Sequence, residues 1–332
     1  MALDPATADY LRRRAADGAP PLRELSPARA RELDAQLREV YGAGPDVHEV
    51  TDHVLAVDDG QIRLRTLVPS AHPRGVLVYY HGGGWVLGEI EDFDAVGRLL
   101  ARRTGCTVVL VEYRLAPEHP FPTAVEDAWT ALQWVASHLN VPGTTPAPLM
   151  VAGDSAGGNL AAVVAHRATR AQAPRLSAQI LIYPVTDCDL DTGSYTDPDN
   201  QLLLDRATMA WFWARYLPDP CARLDPEASP ARAADLAGLP PTIVLTAEYD
   251  VLRDEAERYA ALLEQAGVPV AVHRFAGQAH GFFTMIDLLP VSREAHELVA
   301  GEIDRLLGAS VHSARWMPDR PSHPQTLRGV VE

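Results

Sequence analysis

Ser155 lies in the run Gly153-Asp154-Ser155-Ala156-Gly157-Gly158-Asn159, between the apolar stretch Leu149–Ala152 and the alanine-rich stretch Leu160–Arg170. The pattern reads as a strand, a very tight turn and a helix. A serine in such a turn is held in a strained backbone with its hydroxyl clear of the sheet. Glycine is required on both sides, because Cβ atoms there would collide with the neighbouring strand and helix. The helix aims its N-terminal N–H groups and positive dipole end at the serine oxygen. A serine hydroxyl attacks an ester carbonyl only if a base takes its proton. His280 can do that and later return the proton to a departing alkoxide. Asp250 can hold the imidazole in the required tautomer and stabilise its charged form. The N–H groups of Gly83, Gly84 and Ala156 can receive the oxyanion, and losing one such donor typically costs about 3–4 kcal/mol of transition-state stabilisation.

Taken singly, each feature has an ordinary reading. His280 is one of 12 histidines, Asp250 could simply cap a helix starting near Leu252, and three consecutive glycines can make a plain loop. Jointly these readings fail, because all four features fall at strand ends in the order serine, acid, histidine. Asp154 precedes the nucleophile on the same strand, so its side chain is expected to point away from Ser155 and to be structural. His81 is expected to fix its own loop. Trp211, Phe212 and Trp213 are either lid core or a substrate-facing surface, and those two readings stay open. Trp85, Trp211 and Phe282 are the candidate substrate-binding residues.

These groups must be positioned by strands whose carboxyl ends converge. Apolar runs at Gly75–Tyr80, Cys106–Glu112, Leu149–Asp154, Ala178–Tyr183, Thr242–Thr246 and Val270–Phe275 alternate with helical patterns at Asp92–Arg103, Thr123–Leu139, Arg253–Gln265 and Val291–Leu307. Asp58-Asp59-Gly60 joins two alternating stretches into a hairpin, Val50–Val57 and Ile62–Val68. Eight strands in this rhythm predict an α/β fold, a mostly parallel, doubly wound sheet with helices on both faces. Ligands bind such sheets at the carboxyl ends of the strands. Residues 1–45 read as amphipathic helices at Pro5–Ala16 and Ser26–Val40, with Ser26-Pro27 as N-cap and first-turn proline. After Pro184 the alternation breaks, and residues 185–225 read as an insertion over the sheet with one helix at Asp205–Tyr216. The tail 309–332 is polar and proline-rich, and no structure is expected of it.

Of the 332 residues 47% are hydrophobic, enough for a large core, and the net charge of -15 speaks against nucleic acid or an anionic membrane as partner. All 29 basic residues are arginines, which excludes lysine Schiff-base chemistry and a Gly-Lys-Ser/Thr phosphate loop. Three widely spaced cysteines suggest neither a disulfide framework nor a metal site, and no cofactor is expected. With no signal peptide and no apolar run that could span a bilayer, a cytoplasmic location is expected.

His81-Gly82-Gly83-Gly84-Trp85, Gly153 to Asn159, Asp250-Val251-Leu252-Arg253-Asp254-Glu255 and His280-Gly281-Phe282 together resemble the hormone-sensitive-lipase-like bacterial esterases (family IV). Tyr113-Arg114-Leu115-Ala116-Pro117-Glu118 also matches that family's pattern. The resemblance spans residues 46–308. It implies an α/β-hydrolase catalytic domain, a cap built from residues 1–45 and 185–225, and carboxylesterase activity on small esters. It further implies a Ser155, Asp250, His280 triad with Gly83, Gly84 and Ala156 as the oxyanion hole. Val251 departs from the family, where proline is usual. A small-molecule ester is the expected partner, with no nucleic acid, no stable membrane association, and a homodimer through the edge strand 270–275. Two other functions remain: deacetylation or amide cleavage with the same machinery, and a ligand receptor on the same fold. Plant gibberellin receptors resemble this family but lack the triad histidine, whereas His280 is present here.

Overall fold

The computed structural model describes residues 2–18, 20–36, 38, 42–139 and 147–308. Eight strands form one sheet: β1 (Glu49–Val57), β2 (Gly60–Val68), β3 (Val76–Tyr80), β4 (Thr107–Glu112), β5 (Leu149–Asp154), β6 (Ala178–Ile182), β7 (Thr242–Tyr249) and β8 (Val270–Ala279). Their order is β1-β2-β4-β3-β5-β6-β7-β8. From β4 to β8 every pairing is parallel, while β2 runs antiparallel to β4 and to β1. The central strands β3, β5 and β6 are buried along their whole length, as their unbroken apolar runs require of a sheet covered on both faces.

Helices α3 (Ile90–Thr104) and α9 (Pro290–Leu306) cover one face, packing Val96, Leu99, Val299 and Ile303 against Leu77, Met150 and Ile243. On the other face lie α4 (Thr123–His138), α5 (Ala156–Ala171) and α8 (Arg253–Gln265), with Leu132, Leu160 and Leu263 against Val78, Val151 and Val244. Two short helices open the chain. In α1 (Pro5–Ala16), Asp4 caps the N–H groups of Ala6 and Thr7; in α2 (Pro27–Ala35), the Ser26 hydroxyl accepts from Arg29 N–H. Helix α1 rests on the end of β8 through Asp4 N–H to Gly277 O at 2.9 Å and Thr7 Oγ1 to Gln278 Oε1 at 2.7 Å. Expected structure for residues 37 and 39–41, and the tail 309–332, lie outside the described residues. Residues 185–225 hold a single-turn helix α6 (Gly193–Thr196) and α7 (Arg206–Tyr216), whose N-cap Asp205 accepts from Thr208 N–H. No described helix is long and apolar enough to cross a membrane.

Two strands outrun their expected length. β7 continues to Tyr249 and β8 to Ala279, past a bulge between Ala247 and Tyr249. The Glu248 carboxylate accepts from Gly277 N–H at 2.7 Å, giving two weak strand-formers, Gly277 and Gln278, a partner across the gap. β8 is the edge strand at its end of the sheet, as expected. At the opposite end, β1 and β2 are tied to α3 by arginine clusters: Arg63 donates to Glu91 and Glu112, and Arg65 to Asp52 and Asp94.

The glycines around Ser155 have the predicted cause. A Cβ on Gly153 would lie 2.2 Å from Gly157 O, and one on Gly157 would lie 1.9 Å from Tyr80 O. Both obstacles are backbone and cannot swing aside. Gly157→Ala is therefore expected to destabilise the protein by at least about 1–3 kcal/mol, lowering its urea midpoint against wild type. An unchanged midpoint would mean that α5 can move away from β3.

Candidate active site

Ser155 occupies the single residue between β5 and α5, at φ 56° and ψ −118°. This is left-handed backbone that a serine adopts only when its surroundings force it. Ser155 N–H donates to Ile182 O at 2.9 Å, and its carbonyl accepts from Asn159 and Val185 N–H at 3.1 Å each. His280 follows directly on the last residue of β8, and Asp250 directly on the last residue of β7. The three side chains form one line. Ser155 Oγ is 3.1 Å from His280 Nε2, and His280 Nδ1 is 2.7 Å from Asp250 Oδ2. The other Asp250 oxygen accepts from Leu252 N–H at 3.0 Å, so one carboxylate both fixes the turn leading into α8 and faces the imidazole. Asp250 is 1% exposed and Ser155 7%, so the line is screened from bulk water. Tyr183, itself at φ 34°, sets its ring 4.6 Å from that of His280.

The N–H groups of Gly83, Gly84 and Ala156 donate to no protein oxygen among the described residues. In each case the carbonyl of the same peptide plane is held, so the N–H is aimed by its own amide. His81 Nδ1 holds Gly82 O at 2.8 Å, which sets Gly83 N–H. Val86 and Leu87 N–H hold Gly83 O at 3.1 and 2.9 Å, which sets Gly84 N–H. The two bonds on Ser155 O set Ala156 N–H. His81 thus serves its own loop, as its position suggested. It stacks on Tyr113 at 4.3 Å, and burial pushes its pKa down. Asp154 points away from the serine: its Oδ1 accepts from Tyr79 OH at 2.8 Å and Gly82 N–H at 2.9 Å, tying β5 to the glycine loop.

The candidate substrate residues are distributed differently from what their types suggested. Trp85 is fully buried at φ 60°, stacked on Tyr216 at 4.2 Å and beside Trp213 at 4.9 Å. Phe282 is fully buried on the other side of the sheet against Phe275 and Tyr183. Trp211 is 7% exposed, and the Arg215 guanidinium lies 3.7 Å from its ring centroid. The residue that reaches the glycine loop is Phe212. A Cβ on Gly84 would be 2.2 Å from its ring, so glycine leaves room for that contact. The open alternative for the aromatic triplet resolves residue by residue: Trp213 is core, Phe212 touches the loop, and Trp211 supports a cation.

Comparison with known proteins places the chain among α/β-hydrolases. A family profile described as alpha/beta hydrolase fold matches residues 77–284. A carboxylesterase of Mycobacterium tuberculosis, NlhH, is 42% identical over 224 residues, 66% of this chain and 70% of that protein. An ethyl acetate hydrolase of Pseudomonas putida is 33% identical over 320 residues, covering 92% of this chain and 100% of that one. Among solved structures, a hyperthermophilic esterase of the archaeon Pyrobaculum calidifontis superposes with a TM-score of 0.86 at 40% identity, over 92% of this chain and 99% of that chain.

Burial raises the Asp154 carboxyl from 3.8 to about 6, against the opposing pull of Tyr79 OH, the His280 charge and Gly82 N–H. In the unfolded chain the group ionises first, so folding is favoured below about pH 3.8 and that advantage is lost as pH rises through about 6. Asp154→Asn keeps an acceptor for both donors and does not titrate. Wild type should therefore lose about 2 kcal/mol relative to Asp154→Asn between pH 4 and 7.5, read by urea unfolding. A gap independent of pH would show that the carboxyl is not raised.

Proposed function

The chain belongs to the hormone-sensitive-lipase-like α/β-hydrolases and is a carboxylic ester hydrolase, and we propose that Ser155 is its nucleophile, His280 its general base and Asp250 the acid that orients the histidine. The observation that carries this reading is the unbroken line from Ser155 Oγ through His280 to Asp250, at 3.1 and 2.7 Å. As Oγ attacks the ester carbonyl carbon, its proton passes to His280 Nε2. The carbonyl oxygen becomes an oxyanion and accepts from Gly83, Gly84 and Ala156 N–H, which are already aimed and need no reorganisation. His280 then gives the proton to the departing alkoxide, leaving an acyl-serine. Water repeats the sequence and releases the acid. Ser155→Ala should reduce turnover by on the order of a million-fold while leaving thermal unfolding unchanged. Retention of more than a few per cent of wild-type activity at equal stability would refute the assignment.

In this reading residues 1–45 and 185–225 are the cap. Phe212 lies against the glycine loop and Trp213 against Trp85, and in this reading they wall a short acyl slot. Each methylene that fits gains about 0.8 kcal/mol, and a chain longer than the slot gains nothing more. Relatives named for carboxylic esters, including the ethyl acetate hydrolase, favour small soluble esters as the substrate class. kcat/KM across p-nitrophenyl esters should peak at about four to eight acyl carbons. A peak at palmitate, or a jump in rate when a triglyceride emulsion forms, would make the enzyme a lipase; a peak at acetate with a steep fall would favour the deacetylase reading.

A further inference from the structure

Arg31, on α2, reaches out of the N-terminal helices into the loop that carries the glycines. Its Nε donates to Val86 O at 2.7 Å and its Nη2 to Ala116 O at 2.8 Å. The same guanidinium pairs with both oxygens of Glu118, at 3.0 and 2.7 Å. Ala116 N–H in turn donates to Trp85 O at 2.9 Å, so the arginine spans two segments that already hold each other. A half-exposed arginine on a surface helix ordinarily contributes little through an ion pair. Here two of its contacts are to main-chain carbonyls next to the site.

Those carbonyls matter because peptide groups are planar and rigid. Val86 O and Leu87 N–H share one trans plane, so fixing the carbonyl fixes the direction of the N–H. Leu87 N–H donates to Gly83 O at 2.9 Å. Gly83 O and Gly84 N–H share the next plane in the chain of contacts. With the Gly83 carbonyl drawn into the turn, Gly84 N–H must point the opposite way. Gly83 and Gly84, at φ 98° and 60°, would otherwise have unusual freedom to rotate that plane.

We propose that Arg31 is a positioning residue: by gripping Val86 O and Ala116 O it holds the Gly83–Gly84 peptide in its donor-presenting orientation and makes that orientation depend on docking of the N-terminal helices. This rests on the reading of Gly84 N–H as an oxyanion donor. The arginine touches neither substrate nor Ser155, so its effect falls on the charged intermediate and not on ester binding.

The test compares Arg31→Ala, Arg31→Lys and Glu118→Gln with wild type, using p-nitrophenyl butyrate, an alkyl trifluoromethyl ketone whose adduct carries the oxyanion, and thermal unfolding. Arg31→Ala should lower kcat by about 10- to 100-fold with KM within about threefold. Inhibition by the ketone should weaken by the same factor as kcat/KM. Arg31→Lys, which can grip one carbonyl at a time, should recover part of the loss. Glu118→Gln keeps both carbonyl contacts and should stay within about threefold of wild type. Wild-type kcat in Arg31→Ala, a loss confined to KM, or a loss in Glu118→Gln equal to that in Arg31→Ala would each overturn the inference. If Arg31→Ala does not fold, the Lys and Gln variants decide the matter by the same criteria. Labelling by a fluorophosphonate separates the two layers. Wild type unlabelled at Ser155 would defeat the underlying mechanism, whereas a labelled wild type with an indifferent Arg31→Ala would defeat only the role of Arg31.

Discussion

The first turn of α5 approaches the end of β3 so closely that only hydrogen atoms fit between them, and the site depends on that approach. The distance from a hypothetical Gly157 Cβ to Tyr80 O, 1.9 Å, measures how little space is left. It forces the chain to leave β5 and enter α5 with one residue between, and that residue takes a left-handed conformation few side chains tolerate. The same proximity brings the loop after β3 against the start of α5: a Cβ on Gly157 would also lie 2.5 Å from His81 O.

Strain is concentrated where this happens. Of the five non-glycine residues at positive φ among the described residues, Trp85 lies in the loop after β3, and Ser155 and Tyr183 directly follow β5 and β6. Each is held from outside: Trp85 by the ring of Tyr216, Ser155 by Ile182 O, and Tyr183 by its N–H to Leu245 O at 2.6 Å. Buried polar groups serve the same end. Asp154 spends a costly buried carboxyl on linking β5 to the glycine loop, and Glu255, fully buried on α8, accepts from Thr186 and Asp187 N–H, which binds the start of the helix after Asp250 to the chain after β6. In the proposed mechanism, donors fixed in this way cost no reorganisation when charge appears.

What could be read from the residues was what local rules determine. The central strands are continuous apolar runs, Ser26-Pro27 is a cap followed by a first-turn proline, and Ser155, Asp250 and His280 each stand beside a strand end or a glycine, so their meeting followed from the topology. The extension of β8 through Gly277 and Gln278 was hidden, because it comes from a side chain on β7 and not from strand propensity. Arg31 was hidden for a related reason. An arginine on an amphipathic helix looks like a solvated face until its carbonyl partners, 55 and 85 positions away, are known. The aromatics were hardest to rank: Trp85, Phe212 and Phe282 differ little in type, and only packing assigns one to each place.

The arginine clusters that fasten β1 and β2 to α3 also shape how the protein meets alkali. A guanidinium keeps its proton beyond about pH 12, whereas a lysine ammonium gives it up near 10.4. With no lysine in the chain and Tyr79, Tyr113 and Tyr195 driven upward by burial, few groups remain to release protons between neutral and strongly basic solution. The ties Arg63–Glu91 and Arg65–Asp52 keep both their charges throughout that range. Buffering capacity there is correspondingly small, and the surface keeps nearly the same electrostatic face over several decades of hydroxide concentration.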